Sequence, residues 1–132
     1  MWSNTKYGVY TFGVAGLVAI LNQYCVKLLT DNVFVQFHFN DMIAIFMCCS
    51  WAAFWSALLF QKANNTTIGI VVLIFAIACV IAFEPYGHLF KKSAVYDLWD
   101  VIAEIVALGI WFAAWINTLG YQSVRNRTEA NP

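Results

Sequence analysis

Four long apolar stretches, separated by short polar segments, dominate this chain. A hydrocarbon core about 30 Å thick needs roughly 20 apolar residues to cross it as a helix, and the stretches have about that length. We therefore predict an all-α fold, a polytopic membrane protein built as a single four-transmembrane-helix bundle. The predicted helices run from about Tyr7 to Val26, Asp41 to Phe60, Ile68 to Phe83 and Leu98 to Leu119.

The segments between these stretches predict how the helices are connected. The polar loop from Gln61 to Thr67 is short, so helices two and three should form an antiparallel hairpin. Residues 33–40, VFVQFHFN, are too short and too polar to span, and we expect them to lie on the membrane surface or to dip into it. Pro85 cannot easily continue a helix, so the third helix should stop or kink there. The polar tail after Tyr121 should fray.

The composition of the chain supports membrane insertion. Hydrophobic residues make up 62% of the sequence and charged residues 11%, whereas an ordinary soluble domain has about 25% charged residues. The excess apolar surface must face membrane lipid or a protein partner, which would be another subunit or a second copy. Seven Lys and Arg balance seven Asp and Glu, and no basic stripe is present, so nucleic acid is not an expected partner.

Small side chains are frequent inside the predicted spans. Gly8, Gly13 and Gly16 on the first helix should let it approach a neighbour closely, as should Ala103 and Ala107 on the fourth. No CxxC pair exists, so we interpret the cysteines as small buried or lipid-facing side chains rather than disulfides or zinc ligands. They are Cys25, Cys48, Cys49 and Cys79.

Titratable side chains are distributed unevenly between the two membrane faces. Four spans place both termini on one side, and that side carries Lys6, Lys62, Arg125 and Arg127. The other side carries three lysines, Lys27, Lys91 and Lys92. This bias predicts cytoplasmic termini. The face opposite the termini also gathers six acids and both histidines, namely Asp31, Asp41, Glu84, Asp97, Asp100, Glu104, His38 and His88.

The start of the fourth helix gives the sharpest local pattern. Asp97, Asp100 and Glu104 are three and four residues apart and share one helix face. Asp97 and Asp100 could simply stabilise the helix N-terminus. Glu104 should lie one to two turns inside the membrane, where a carboxylate needs a partner. Asn22 and Lys27, at the end of the first helix, could supply that partner, either as a structural ion pair or as part of a ligand pocket.

The same membrane face offers candidate metal ligands. His38 and Asp41 are three residues apart at the entry to the second helix, and Glu84 and His88 are four apart after the third. Imidazole and carboxylate groups bind divalent metals, although no spacing here matches an established motif. No pair of a nucleophile and a base is evident, so we do not expect an enzyme, and the pattern specifies no cofactor.

Several short motifs together resemble small VanZ-like membrane proteins, in particular short bacterial members labelled magnesium citrate secondary transporter. The motifs are LNQY at 21–24, FNDMI at 39–43, FEP at 83–85 and YDLWDVI at 96–102. The resemblance implies a four-helix fold in the bacterial inner membrane, a polar site on one face and a role in the cell envelope. The chain departs from that family at 44–46, where a proline is usual, and at 103–104, where Tyr and Gly are usual. A role for Glu104 is therefore not implied.

These observations lead to several functional hypotheses. The first is a non-enzymatic envelope protein whose pocket binds a headgroup, a cation or a partner. The second is an accessory subunit of a larger membrane complex. The third is a small transporter or ion-conducting oligomer that uses Glu104, and the fourth is an enzyme acting on a lipid-linked substrate. The proposed pocket consists of Asn22, Lys27, Asp41, Glu84, Asp97, Asp100 and Glu104.

Overall fold

Helices form every regular element of the computed structural model, which describes the backbone of residues 2–90 and 98–130 and the side chains of residues 4–82 and 98–119. α1, a π-helical turn and α2 follow one another without a break and form one continuous rod. The elements in chain order are α1 (Trp2–Leu21), the π-helical turn (Asn22–Val26), α2 (Lys27–Leu29), α3 (Val33–Phe37), α4 (Phe39–Leu59), α5 (Asn65–Phe90) and α6 (Leu98–Ala130).

Four of the described helical segments are long and apolar enough to cross a membrane. These segments contain between 18 and 26 residues, which at 1.5 Å per residue is enough to cross a bilayer core of about 30 Å. The predicted all-α, four-helix membrane fold is therefore confirmed. The segments are Asn4–Leu29, Phe39–Leu59, Asn65–Ala82 and Leu98–Leu119.

Two helices continue beyond the ends of their predicted spans. α5 continues through Pro85 to Phe90, so of the stop or kink that the sequence predicted there, the stop is wrong. A proline removes one backbone hydrogen bond, a loss that membrane helices tolerate. α6 continues to Ala130, although the polar tail after Tyr121 was expected to fray. Hydropathy marks where a helix leaves the hydrocarbon core, and the backbone can remain helical beyond that level.

The connection between the first two spans is held in place by side-chain hydrogen bonds. The Oδ1 atom of Asn32 caps α3 by accepting hydrogen bonds from the backbone N–H groups of Phe34 (3.0 Å) and Val35 (3.3 Å). Nε2 of Gln36 donates to the carbonyl oxygens of Lys27 (2.8 Å) and Thr30 (2.7 Å). Carbonyls at a helix C-terminus lack intrahelical donors, so Gln36 fixes α3 against the end of α2.

α4 is the central helix of the bundle. α1, α5 and α6 each pack mainly against α4, whereas α5 and α6 touch one another only slightly. Small residues of α4, Ala53 and Ala57, are fully buried at these contacts. The largest fully buried side chain is Trp111 of α6, whose Nε1 donates to Oγ of Ser50 at 3.0 Å. α4 therefore sets the positions of the other three spans.

The glycines of α1 differ in their surroundings. A Cβ atom on Gly8 would lie 2.8 Å from the carbonyl oxygen of Ser50 and 2.9 Å from the amide nitrogen of Phe54, so the backbones of α1 and α4 meet closely there. Gly13 and Gly16 have no atom within 4 Å of such a Cβ among the described residues. The predicted close approach is thus confirmed at Gly8 and is wrong at Gly13 and Gly16.

Candidate cation site at one membrane face

Two buried asparagines of the first rod, Asn4 and Asn22, mark two levels of the bundle. Asn4 and Asn22 are 18 residues apart on the first rod, which corresponds to roughly 27 Å at 1.5 Å per residue. That separation is close to the thickness of a bilayer core, about 30 Å. Each asparagine therefore lies near one face of the membrane.

The level of Asn4 carries a structural hydrogen-bond network. Nδ2 of Asn4 donates to Oδ1 of Asn65 at 2.8 Å, and Nε1 of Trp115 donates to Oδ1 of Asn4 at 3.1 Å. These bonds join α1, α5 and α6 and satisfy the buried polar groups of Asn4 and Trp115. The sequence did not predict this network, because nothing in a single helix pattern says which polar residues face each other.

The opposite level holds a cluster of one imidazole and two carboxylates. His38 and Asp41 come from the start of α4, and Asp100 comes from the first turn of α6. One ligand atom from each residue lies within 4.8 Å of the other two. Nδ1 of His38 and Oδ1 of Asp100 form an ion pair. The side chains of His38 and Asp100 are 13% and 20% exposed, so the cluster is shielded yet reachable from the aqueous face.

The spacing of these residues explains how the cluster forms. The backbone N–H of Met42 donates to the carbonyl oxygen of His38 at 3.3 Å, so the helical hydrogen-bond pattern of α4 already includes His38. Residues three apart on a helix share a face, which brings His38 and Asp41 together. Packing of α6 against α4 adds Asp100. The sequence predicted that His38 and Asp41 lie close together, because they are three residues apart. It did not predict that Asp100 joins them.

The two carboxylates of the cluster, Asp41 and Asp100, share a side-chain hydrogen bond. Asp41 also interacts electrostatically with Asp100, with His38 and with Lys27 of α2. Two carboxylates this close repel each other unless they share a proton or another positive charge lies between or beside them. An imidazole and two carboxylates form a donor set that accepts a divalent ion such as Mn²⁺, Fe²⁺ or Zn²⁺. The arrangement can therefore hold a cation.

The predicted pairing of Asp100 with Lys27 was wrong. The sequence suggested that Lys27 could pair with Asp100 or Glu104, and the structure gives Asp100 an ion pair with His38 instead. Lys27 acts on Asp41 electrostatically. A histidine 62 residues away along the chain is brought to Asp100 only by the packing of α4 and α6.

Glu104 lies apart from the cluster formed by His38, Asp41 and Asp100. It is one turn deeper on α6 than Asp100, and it is only 3% exposed. It interacts electrostatically with two thiols, those of Cys48 on α4 and Cys79 on α5. Glu104 was predicted to share a pocket with Asp100, and among the described side chains it is not a member of the three-residue group.

Asn22 forms a second polar contact at the level of the cluster. It lies in the π-helical turn and is 1% exposed, and its Nδ2 donates to Oδ1 of Asn40 at 2.8 Å. Its Oδ1 has no hydrogen-bond partner among the residues that the structure describes. A buried acceptor without a donor costs about 1–3 kcal/mol. Asn40 was not among the site residues predicted from the sequence, although it lies directly before Asp41, which was.

Three predicted site residues have side chains outside the described residues. Glu84 and His88 belong to the last turns of α5, and their side chains lie outside the described residues. All of Asp97 lies outside them as well. Of the four candidate metal ligands, the structure therefore brings His38 and Asp41 together and adds Asp100.

No family model, no curated protein and no solved structure matches this chain. The VanZ-like resemblance stays a prediction.

Proposed function

We propose that this protein is a non-enzymatic membrane protein of the bacterial cell envelope that binds a divalent cation through His38, Asp41 and Asp100. One observation carries the proposal, namely that three ligand atoms from two helices lie within 4.8 Å of one another. A cation there would neutralise the two carboxylates and tie the start of α4 to the start of α6. The predicted orientation puts the site on the outer face of the inner membrane.

The donor set favours a transition ion over Mg²⁺ or Ca²⁺. Carboxylates suit both kinds of cation, whereas imidazole nitrogen suits the transition ions. Mn²⁺ is a suitable probe because it accepts both donor types and is directly observable by electron paramagnetic resonance. Three protein ligands would leave further coordination positions of the ion open to water or to another ligand.

The test is a titration of the full chain in nanodiscs with Mn²⁺, with free Mn²⁺ measured by paramagnetic resonance. We expect saturable binding by the wild type and a loss of affinity of at least about tenfold in Asp100→Asn and Asp41→Asn, because each removes a charged ligand. Asp31→Asn is the matched control, since Asp31 is an exposed acid in the adjacent connection. Absence of binding by the wild type, or equal loss in Asp31→Asn, would contradict the proposal.

A second candidate function is passage of a cation through the membrane, which the burial of Glu104 favours. Ionisable residues this deep in a membrane bundle commonly mark an ion pathway. The test is Mn²⁺ uptake into proteoliposomes loaded with a quenched fluorescent chelator. Uptake that Glu104→Gln abolishes supports this function, and no uptake by the wild type rules it out.

A further inference from the structure

Two of the four cysteines form a pair between α4 and α5. Cys48 of α4 and Cys79 of α5 are free thiols, and their side chains share a hydrogen bond. The two helices pack against each other here, since Ala76, three residues before Cys79, is fully buried in their common core. No spacing motif in the sequence indicates this contact, because the two residues lie on different helices. Hydrogen-bonded thiols on packed helices need only small side-chain movements to become a disulfide.

The pair lies near the centre of the membrane. Cys48 follows Phe39, the first residue of α4, by nine residues, which corresponds to roughly 14 Å at 1.5 Å per residue. Half of a bilayer core measures about 15 Å. Oxidants and thiols that are dissolved in the aqueous compartments are excluded from this depth. A reagent that oxidises the pair therefore has to be soluble in lipid.

An apolar cavity of about 280 Å³ adjoins the pair on the outer side of α4. Its lining consists of one residue of α1, three of α4 and one of α5, namely Phe12, Met47, Cys48, Trp51 and Phe75. Trp51 is 48% exposed and Phe75 is 42% exposed, so the cavity opens toward lipid. The ring centroids of Phe12 and Trp51 are 5.7 Å apart. Aromatic walls bind flat conjugated rings through stacking and edge contacts, and quinones are the lipid-soluble oxidants with such a ring.

A carboxyl group lies on the inner side of the pair. Glu104 of α6 interacts electrostatically with the thiols of both Cys48 and Cys79, and it is 3% exposed. The thiolate is the reactive form of cysteine, so a base has to accept a proton before a sulfur atom reacts. Glu104 is placed to accept that proton. Three helices thus bring two thiols, a base and an aromatic cavity together.

From this arrangement we propose that Cys48 and Cys79 are a redox-active pair, which a lipid-soluble quinone bound in the adjoining cavity oxidises to a disulfide. Both S–H bonds break, one S–S bond forms, and the two electrons and two protons convert the quinone to its hydroquinone. Glu104 holds one of these protons in transit. One quinone reacts per chain, and the product links α4 to α5 covalently. The inference is independent of the proposed cation site, with which it shares no residue.

The test uses the full chain in nanodiscs, with its thiols reduced, the reductant removed and oxygen excluded. Decylubiquinone is added, its reduction is followed by absorbance, and disulfides are located by mass spectrometry after the remaining thiols are blocked with N-ethylmaleimide. We expect one quinone reduced per chain and a disulfide between Cys48 and Cys79. Cys48→Ser and Cys79→Ser should reduce no quinone. Cys49→Ser is the matched control and should react like the wild type, because Cys49 is the adjacent thiol and does not line the cavity.

Two tryptophan variants separate the thiol pair from the quinone cavity. Met47→Trp fills the cavity, and it should block oxidation by decylubiquinone while diamide, a small membrane-permeant oxidant, still forms the disulfide. Leu58→Trp is the matched control, because Leu58 is 38% exposed on α4 and does not line the cavity. Oxidation of Met47→Trp by the quinone at the wild-type rate would overturn the cavity assignment. A wild type in which neither oxidant forms the disulfide would overturn the pair itself.

The role of Glu104 is tested by the rate of the same reaction. Glu104→Gln keeps the size of the side chain and removes the base, so oxidation by decylubiquinone should slow by at least about tenfold and still end at the same disulfide. Restored speed in Glu104→Asp would support proton acceptance by a carboxylate. A rate in Glu104→Gln equal to that of the wild type would overturn it.

Discussion

Gly8→Ala should destabilise the bundle, because α1 and α4 meet backbone to backbone at this position. The added Cβ would lie 2.8 Å from the carbonyl oxygen of Ser50 and 2.9 Å and 3.0 Å from the backbone nitrogen and Cβ of Phe54. Two of these three atoms belong to the helix backbone, and so no side-chain rotation can remove the clash. The helices would have to move apart.

The size of the effect follows from two opposing contributions. Overpacking a well-packed contact costs about 1–3 kcal/mol. Replacing glycine by alanine inside a helix gains up to about 1 kcal/mol from helix propensity alone. Gly13→Ala is the matched control, because no described atom lies within 4 Å of its added Cβ. We expect Gly8→Ala to lose stability and Gly13→Ala to be neutral or slightly stabilised, with a difference of about 2 kcal/mol.

The assay is reversible unfolding of the full chain in mixed micelles as the mole fraction of dodecyl sulfate rises, followed by the loss of helical circular dichroism. The midpoint should fall for Gly8→Ala and stay or rise for Gly13→Ala. If the two variants unfold at the same midpoint, or if Gly13→Ala is the less stable, the close packing of α1 on α4 is refuted.

Further predictions concern the core, the topology and the cysteines. Ser50→Ala removes the acceptor of the buried Trp111 N–H and should cost about 1–3 kcal/mol in the same unfolding assay; an unchanged midpoint would contradict this. Fusions of a cytoplasm-dependent fluorescent protein should fluoresce at both termini in a bacterial host, and fluorescence at one end only would exclude four spans. A lipid-soluble maleimide should label the exposed Cys25 in the folded protein before the buried Cys49, whereas equal rates would contradict the described packing.

The spans of this fold were predictable because hydropathy reports membrane thickness directly. The predicted start of the second span, Asp41, is two residues from the observed start of α4 at Phe39. The extension of α5 through Pro85 was not predictable in the same way. Helix continuation outside the hydrocarbon core depends on local backbone preference and on contacts, and apolar periodicity carries no information about either.

The sequence predicted which membrane face carries the candidate site. It did not predict which side chains from different helices contact one another there. Sequence spacing places His38 beside Asp41, because both lie on one helix. The ion pair of His38 with Asp100 and the hydrogen bond of Asn22 to Asn40 each join different helices. Which helix faces meet is decided by packing around α4, where small residues and Gly8 permit close approach. A single sequence therefore indicates which membrane face carries the polar groups, but it does not determine which of these groups contact each other.

The most direct test of the cation site is electron spin echo modulation of Mn²⁺ bound to the protein, which detects a coordinated imidazole nitrogen. The chain contains two histidines, so two variants assign the signal completely. We expect nitrogen modulation in the wild type and in His88→Gln, and none in His38→Gln. Modulation that persists in His38→Gln, or that is absent from the wild type with Mn²⁺ bound, would contradict the assignment of His38 as a ligand.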